Sequence, residues 1–403
     1  MSTSKIGFHI AANCGGCTGL VDLWQTLDQA GINFGVYAAN DPGKIASAVT
    51  FKYANPIIYR DVEASTVNPA DYAMAPDKAA IKYWAKQQIR LPQEIKAARA
   101  RTWIELFNEP GKDQEQAGWV GAVMAQMARL ALAEGYRVCG PGWSAGTPEP
   151  FHWELPGWRD YLSLCAANPD KVAVSLHEYS FDNDIFRLEG WLIGRFKFLF
   201  AACDKLGIKR PTTLITECGW TLNSMPPDAQ ARMDIEYLAR LYAAHRDIQA
   251  VFLWTLQSGA GNGDLPQRLN ALIPWLTKFT LETRFPDPAP EEPPMTTLNE
   301  RIWNYSVDIQ LHKVPNRYGL QLNPNAALQQ RIKADGGSGL QIVTEEFTFE
   351  SHAGQAAEDA ATGKRYVYYA PVGQYSNVTV LHGKGATLEG VGGPSTTNPF
   401  LPG

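Results

Sequence analysis

Residues 102–108 read Thr-Trp-Ile-Glu-Leu-Phe-Asn, an apolar run of strand length. The amphipathic stretch Ala117–Glu134 follows it, then a second short run at Tyr136–Gly140. Strand, helix and strand in that order predict a parallel βαβ unit, because parallel neighbours need a crossover of helical length. The pattern recurs in both directions along the chain. Strands are predicted at Lys5–Ala12, Ile32–Ala38, Pro56–Arg60, Thr102–Asn108, Tyr136–Gly140, Val172–His177, Thr212–Glu217 and Ala250–Thr255. Helical patterns at Pro76–Ala98, Ala117–Glu134, Ile185–Leu206 and Pro227–Arg246 separate most of them. Eight such units within residues 1–285 fit an α/β fold of the closed (β/α)8, or TIM-barrel, type better than a doubly wound sheet.

Composition changes after that. A Pro-rich, acidic stretch from Phe285 to Pro294 predicts a semi-rigid linker over 286–297. Residues 298–403 lose the helical period and read as a small β-rich C-terminal module. Its strands are expected at Ile302–Leu311, Leu340–Glu350, Arg365–Tyr369 and Asn377–Leu381, with a short helix near Ala326–Ala334. The Gly-, Pro-, Ser- and Thr-rich tail from Gly383 is expected to pack little of its surface. Trp303, Tyr305, Tyr318, Tyr366, Tyr368 and Tyr369 offer stacking area for glycan or cell-wall binding, with a structural or assembly role as the alternative.

The 403 residues carry 36 basic and 41 acidic side chains, a net charge of −5, so no basic excess exists to neutralise phosphates, and a nucleic-acid partner is not expected. The most apolar stretch, Trp191–Cys203, holds Arg195 and Lys197 and is too short to span a bilayer. His9, Asn13, Gly15 and Gly16 break up the opening apolar run, so it does not read as a secretory signal. A soluble chain of open location is expected. The six cysteines are irregularly spaced and read as reduced thiols. The Cys14-Gly-Gly-Cys17 pair lacks the second pair a zinc site needs. No Gly-rich phosphate loop or paired metal ligands close a strand, so neither cofactor nor metal is expected. Twelve Trp is a high count; their flat faces suit either a core or a sugar platform.

Barrel chemistry gathers where strands end. Strand four closes Glu105-Leu-Phe107-Asn108-Glu109-Pro110, strand six His177-Glu178-Tyr179, strand seven Glu217-Cys218-Gly219-Trp220, and strand eight Leu253-Trp254. Alternation puts Glu105, Phe107 and Glu109 on one face of strand four. Asn-Glu-Pro, His-x-Tyr, Glu and Trp, each closing its strand in that order, resemble clan A retaining glycoside hydrolases over residues 5–285. The resemblance implies Glu109 as general acid/base and Glu217 as nucleophile, acting on a β-linked oligo- or polysaccharide. Two carboxyls so close should raise one pKa. It further implies Asn108 at the sugar 2-hydroxyl, His177 on sugar hydroxyls or orienting Tyr179 and Glu109, Tyr179 as donor to Glu217, and Trp254 under the reacting sugar. His9, Trp143 and Trp220 are rim candidates for substrate contact. Trp153 and Trp158 lie in a loop long enough for a lid.

The clan's arginine at the end of strand two is missing here, and Arg60 closing strand three is the candidate substitute. Glu105 is expected to take a buried partner, with Arg60 the first choice, and Glu178, facing away from the site, a structural one. A transglycosylase would use the same residues. A non-catalytic carbohydrate-recognition barrel is the reading from a different class, and it predicts loss of one of the two Glu.

Overall fold

A computed structural model describes residues 3–12, 14, 17–186, 190–257 and 261–286, and four strands beyond them. The chain divides into two compact units, Met1–Glu291 and Glu292–Gly403. In the first, eight parallel strands close into a barrel in sequence order. They are β1 (Ile6–Ala11), β2 (Phe34–Ala39), β3 (Ala54–Arg60), β4 (Thr102–Glu105), β5 (Arg137–Cys139), β6 (Val172–Tyr179), β7 (Thr213–Gly219) and β8 (Ile248–Leu253). The helices between them are α1 (Leu20–Gln29), α2 (Pro42–Ala48), α3 (Pro76–Arg90), α4 (Gln93–Ala97), α5 (Gln114–Ala133), α6 (Pro156–Ala167), α7 (Phe196–Leu206) and α8 (Asp228–Ala243), with α9 (Leu265–Glu282) after β8. The strands are almost wholly buried, as a parallel sheet covered on both faces must be.

Alternate residues fill the barrel: Ala11, Tyr37, Ala39, Ile58, Trp103, Cys139, Ala173, Leu214, Ala250 and Phe252. The intervening residues pack outward against the helices. Space inside is tight. A Cβ at Gly35 would lie 2.8 Å from both Ala250 Cβ and Phe252 Cζ, so glycine is what lets Phe252 fill the centre.

Several sequence expectations change here. The single helix expected over Pro76–Ala98 is two, because Pro92 forces Leu91 into extended geometry (ψ 121°). The helix expected from Ile185 starts only at Phe196, after two positive-φ glycines, Gly190 and Gly194. Phe107 does not share a face with Glu105: regular pairing stops at Glu105, and Phe107 packs outward, edge-on to Tyr83. Cys14 and Cys17, expected as reduced thiols, form a disulfide, whereas Cys139, Cys165, Cys203 and Cys218 are free and buried. No helix among the described residues is long and apolar enough to cross a membrane.

The second unit contains a four-stranded sheet in the order β12-β11-β10-β9. Its strands are β9 (Gln341–Ile342), β10 (Tyr366–Tyr369), β11 (Val378–Leu381) and β12 (Leu388–Val391). β12 falls in the tail that was expected to pack little; its backbone pairs antiparallel with β11. The expected strand Ile302–Leu311, the helix near Ala326 and the residues Trp303, Tyr305 and Tyr318 lie outside the described residues.

Gly35→Ala is expected to lower unfolding stability by about 1–3 kcal/mol, since Ala250 cannot retreat from the added methyl. Urea unfolding against the wild type checks it.

Candidate active site

The site is built by a departure from strand regularity. Along β7, Leu214 points into the barrel and Ile215 outward. Plain alternation would then send Glu217 out to the helices. Instead Leu176 pairs with Ile215 and His177 with Glu217, so Thr216 is an extra residue, a β-bulge. Thr216 points inward and donates to Glu105 Oε1 (2.8 Å), and Glu217 follows it inward while Cys218 turns out toward Tyr242. Bulges re-aim side chains beside active sites, and this one delivers Glu217 to the barrel mouth.

Glu217 is buried and its two oxygens are both engaged. Oε1 accepts from Arg60 Nη1 at 2.9 Å, and Oε2 accepts from the Tyr179 hydroxyl at 2.7 Å. His177 Nδ1 lies 3.4 Å from Oε2, and His9 Nε2 3.7 Å from Oε1. Arg60 does serve Glu217 from strand three, and its Nη1 also donates to Asn108 Oδ1. Burial disfavours the Arg60 charge, but Tyr37, Glu217 and Glu105 outweigh that and hold its pKa above the ordinary value. Burial raises the Tyr179 pKa far above normal, so the phenol keeps its proton and stays a donor.

Glu109 sits across from this group. Its amide donates to Gly142 O (2.8 Å), and its backbone is left-handed (φ 44°), a conformation uncommon outside glycine. The half-exposed side chain accepts from His177 Nδ1 at 3.1 Å. That bond lowers the Glu109 pKa, against the expectation that the neighbouring carboxylate would raise it. The same bond acts on the histidine in the opposite sense. Burial disfavours imidazolium, but Glu217, Glu109 and Glu105 prevail and raise the His177 pKa.

Glu105 is wholly buried and accepts from Tyr37 (2.7 Å) as well as Thr216, with Arg60 Nη1 at 3.7 Å. Arg60 is thus a partner, though the two hydroxyls are nearer. Sequence reading missed Tyr37 and Thr216; both are inward residues of barrel strands, and Thr216 is inconspicuous without the bulge. Glu178 faces the helices as alternation implies, accepting from Gly194 N and Phe196 N at the start of α7 and from Tyr242 Oη on α8.

The aromatic expectations divide. Trp254 is half-buried at the mouth, its Nε1 donating to Leu222 O (3.2 Å). His9 has no exposed surface: its ring lies 4.5 Å from both Tyr37 and Trp254, and Nδ1 is 3.0 Å from Thr255 Oγ1. Burial, Arg60 and His177 lower its pKa, so His9 is a neutral packing group under the site. Trp143 and Trp220 are corrected to core residues. Trp143 is 0% exposed beside Trp158, and Trp220 is 1% exposed with Nε1 on Asp234 (2.7 Å). Trp153 and Trp158 are buried too, so that loop is packed core and not a lid.

Ligand atoms of Glu109, His177 and Glu217 lie within 4.8 Å of one another. Three such groups resemble a cation site, but the Arg60 guanidinium, itself a cation, already sits on Glu217 Oε1 and Tyr179 on Oε2, so the set does not fit a metal. Two carboxyls this close, one hydrogen-bonded by neutral and cationic donors and one facing solvent, suit acid/base and nucleophilic work on a bond between them.

Comparison with solved structures aligns the chain with glycoside hydrolases. A β-mannanase from Thermomonospora fusca is 12% identical over 64% of this chain and 81% of its own, with a TM-score of 0.39. A glycoside hydrolase family 5 enzyme from Prevotella bryantii is 12% identical over 70% and 98%, with a TM-score of 0.42. A family 128 endo-β-1,3-glucanase from Amycolatopsis mediterranei is 14% identical over 66% and 99%, with a TM-score of 0.34. The chain is similar to glycoside hydrolase barrels. At such TM-scores the likeness carries no argument of its own, and the barrel stands on the chain's own strand pairing. No protein-family profile matches the sequence, and no curated protein matches it.

The Glu109–His177 pair should leave a pH signature. A lowered carboxylate pKa stabilises the fold above its usual value of 4.5 and is lost as pH falls through the lowered value. A raised histidine pKa stabilises below its usual 6.5 and is lost as pH rises through the raised value. The stability difference between wild type and Glu109→Gln is therefore expected to peak between those two values and decline on both sides, as read by urea unfolding across the pH range.

Proposed function

We propose that the protein is a retaining β-glycoside hydrolase acting on a β-linked oligo- or polysaccharide. The observation that carries this is the placement of Glu109 and Glu217 with carboxyl oxygens within 4.8 Å, bridged by His177. Retaining enzymes hold their two carboxyls about 5–5.5 Å apart, whereas inverting ones leave room for a water between.

In the first step Glu217 attacks the anomeric carbon as the glycosidic C–O bond breaks, and Glu109 protonates the departing oxygen. Glu109 is a good acid only if its proton is replaced, because its pKa is lowered. His177 supplies that replacement across 3.1 Å. Its proton is held largely by the Glu217 charge, and that charge disappears when Glu217 forms the glycosyl ester. Bond formation at one carboxylate thereby releases the proton needed at the other. In the second step water attacks the anomeric carbon, the ester bond breaks, and the water's proton returns through Glu109 to His177. Arg60 and Tyr179 hold Glu217 in place and stabilise it as leaving group. Arg60 also fixes Asn108 Oδ1, which leaves the Asn108 amide N–H2 as the group to donate to a sugar 2-hydroxyl.

Glu217→Ala is expected to lose at least about 10³-fold in kcat on aryl β-glycosides. Added azide should restore turnover and yield the glycosyl azide of inverted configuration. Glu109→Ala should lose most on substrates with poor leaving groups and little on dinitrophenyl glycosides. Neither loss should be mimicked by a chelator in the wild type. Unrescued Glu217→Ala, or loss on chelation, overturns the reading. A wild type that binds β-glycans and cleaves none points to the recognition barrel.

A further inference from the structure

Three non-glycine residues among those described have positive φ: Asn40, Glu109 and Phe181. Asparagine tolerates that conformation, and Glu109 is at the centre of the site. Phe181 has neither excuse. A bulky aromatic at φ 53° is an outlier, and this one is also 48% exposed, so it is neither relaxed locally nor buried for stability.

Its position is fixed from several sides. Ser180 N donates to Gly219 O (3.0 Å) and Phe181 N to Trp220 O (2.9 Å), tying the chain after β6 to the chain after β7. Ser180 Oγ donates to Asp182 O (2.8 Å), closing the turn around Phe181. The ring lies nearly parallel to that of Tyr179, at 5.8 Å and 22°. Tyr179 donates to Glu217 and meets the Trp254 ring edge-on at 6.4 Å. Trp254, Tyr179 and Phe181 thus form a continuous run of aromatic contacts that starts at Glu217 and ends on the half-exposed Phe181.

We infer that Phe181 is a sugar-stacking platform for a unit of the glycan outside the catalytic pocket, and so sets the enzyme's preference for oligosaccharides over single glycosides. The inference rests on the glycosidase reading and adds a subsite to it. Sugar C–H faces stack on flat apolar rings, and a ring held against rotation by a tied backbone and a stacked neighbour binds without losing its own freedom.

The test compares kcat/KM on β-linked gluco- and manno-oligosaccharides of two to six units with that on the matching aryl β-monoglycosides. In Phe181→Ala the oligosaccharide-to-monoglycoside ratio should fall about tenfold, and Phe181→Leu should fall similarly, because bulk without a ring does not stack. Phe181→Trp should keep the ratio. An equal loss on both substrate types would show Phe181 acting only through Tyr179, and no loss on either would show no contact; either overturns the inference. Calorimetric titration of the same oligosaccharides into Glu217→Ala, with and without Phe181→Ala, reads binding without turnover. Weaker binding of the double variant supports the platform even if no substrate is cleaved, in which case only the hydrolase reading fails. Equal binding overturns the platform.

Discussion

A carboxylate sealed inside the barrel, Glu105, is the constraint on which the site depends. Isolated in the core it would be prohibitively costly, so its partners are not optional. It accepts from Tyr37 on β2 and Thr216 on β7, and Arg60 on β3 lies 3.7 Å away. Three strands are thereby held to a fourth by one side chain. The Thr216 bond fastens the bulge, and the bulge is what aims Glu217 at the mouth. Remove the bulge and the two Glu of the site face opposite sides of the sheet wall.

Charge balance follows from the same group. Glu105, Glu109 and Glu217 face one permanent cation, Arg60, and one conditional cation, His177. The acidic groups of the cluster outnumber the cationic ones, three to two. That imbalance explains why His177 is pushed to hold a proton although it is buried, and why Glu109 is not.

Much of this was legible in the sequence. Short apolar runs separated by helical patterns mark all eight strands, because a parallel barrel buries both faces and its strands become continuous apolar words. Glu109, Glu217, His177, Tyr179, Asn108 and Trp254 stand at strand ends and come together at one mouth. What was not legible is wherever strand period fails. Alternation carried past Glu105 puts Phe107 on the wrong side, and alternation along β7 puts Glu217 there too. Trp143 and Trp220 look like platform residues because rim position and burial are independent; each follows a strand end but turns its indole into the core. The direction of the Glu109 shift was also misjudged, because it depends on a histidine bond that only geometry reveals.

The distribution of backbone strain completes the physical account. Asn40, Glu109 and Phe181 follow β2, β4 and β6 respectively, all on the face where the site lies. Left-handed non-glycine residues cost roughly 1–2 kcal/mol each, and a fold keeps them only where its surroundings leave no choice. Here the surroundings are cross-loop bonds: Asn40 N to Arg60 O, Glu109 N to Gly142 O, Phe181 N to Trp220 O. Each ties the end of one strand to the end of the next or to the loop beyond it. The barrel body, with its alternating layers, carries no such residue among those described. Stability is therefore supplied by the closed sheet and spent at its rim, where three side chains are held in orientations that an unstrained turn would not give them.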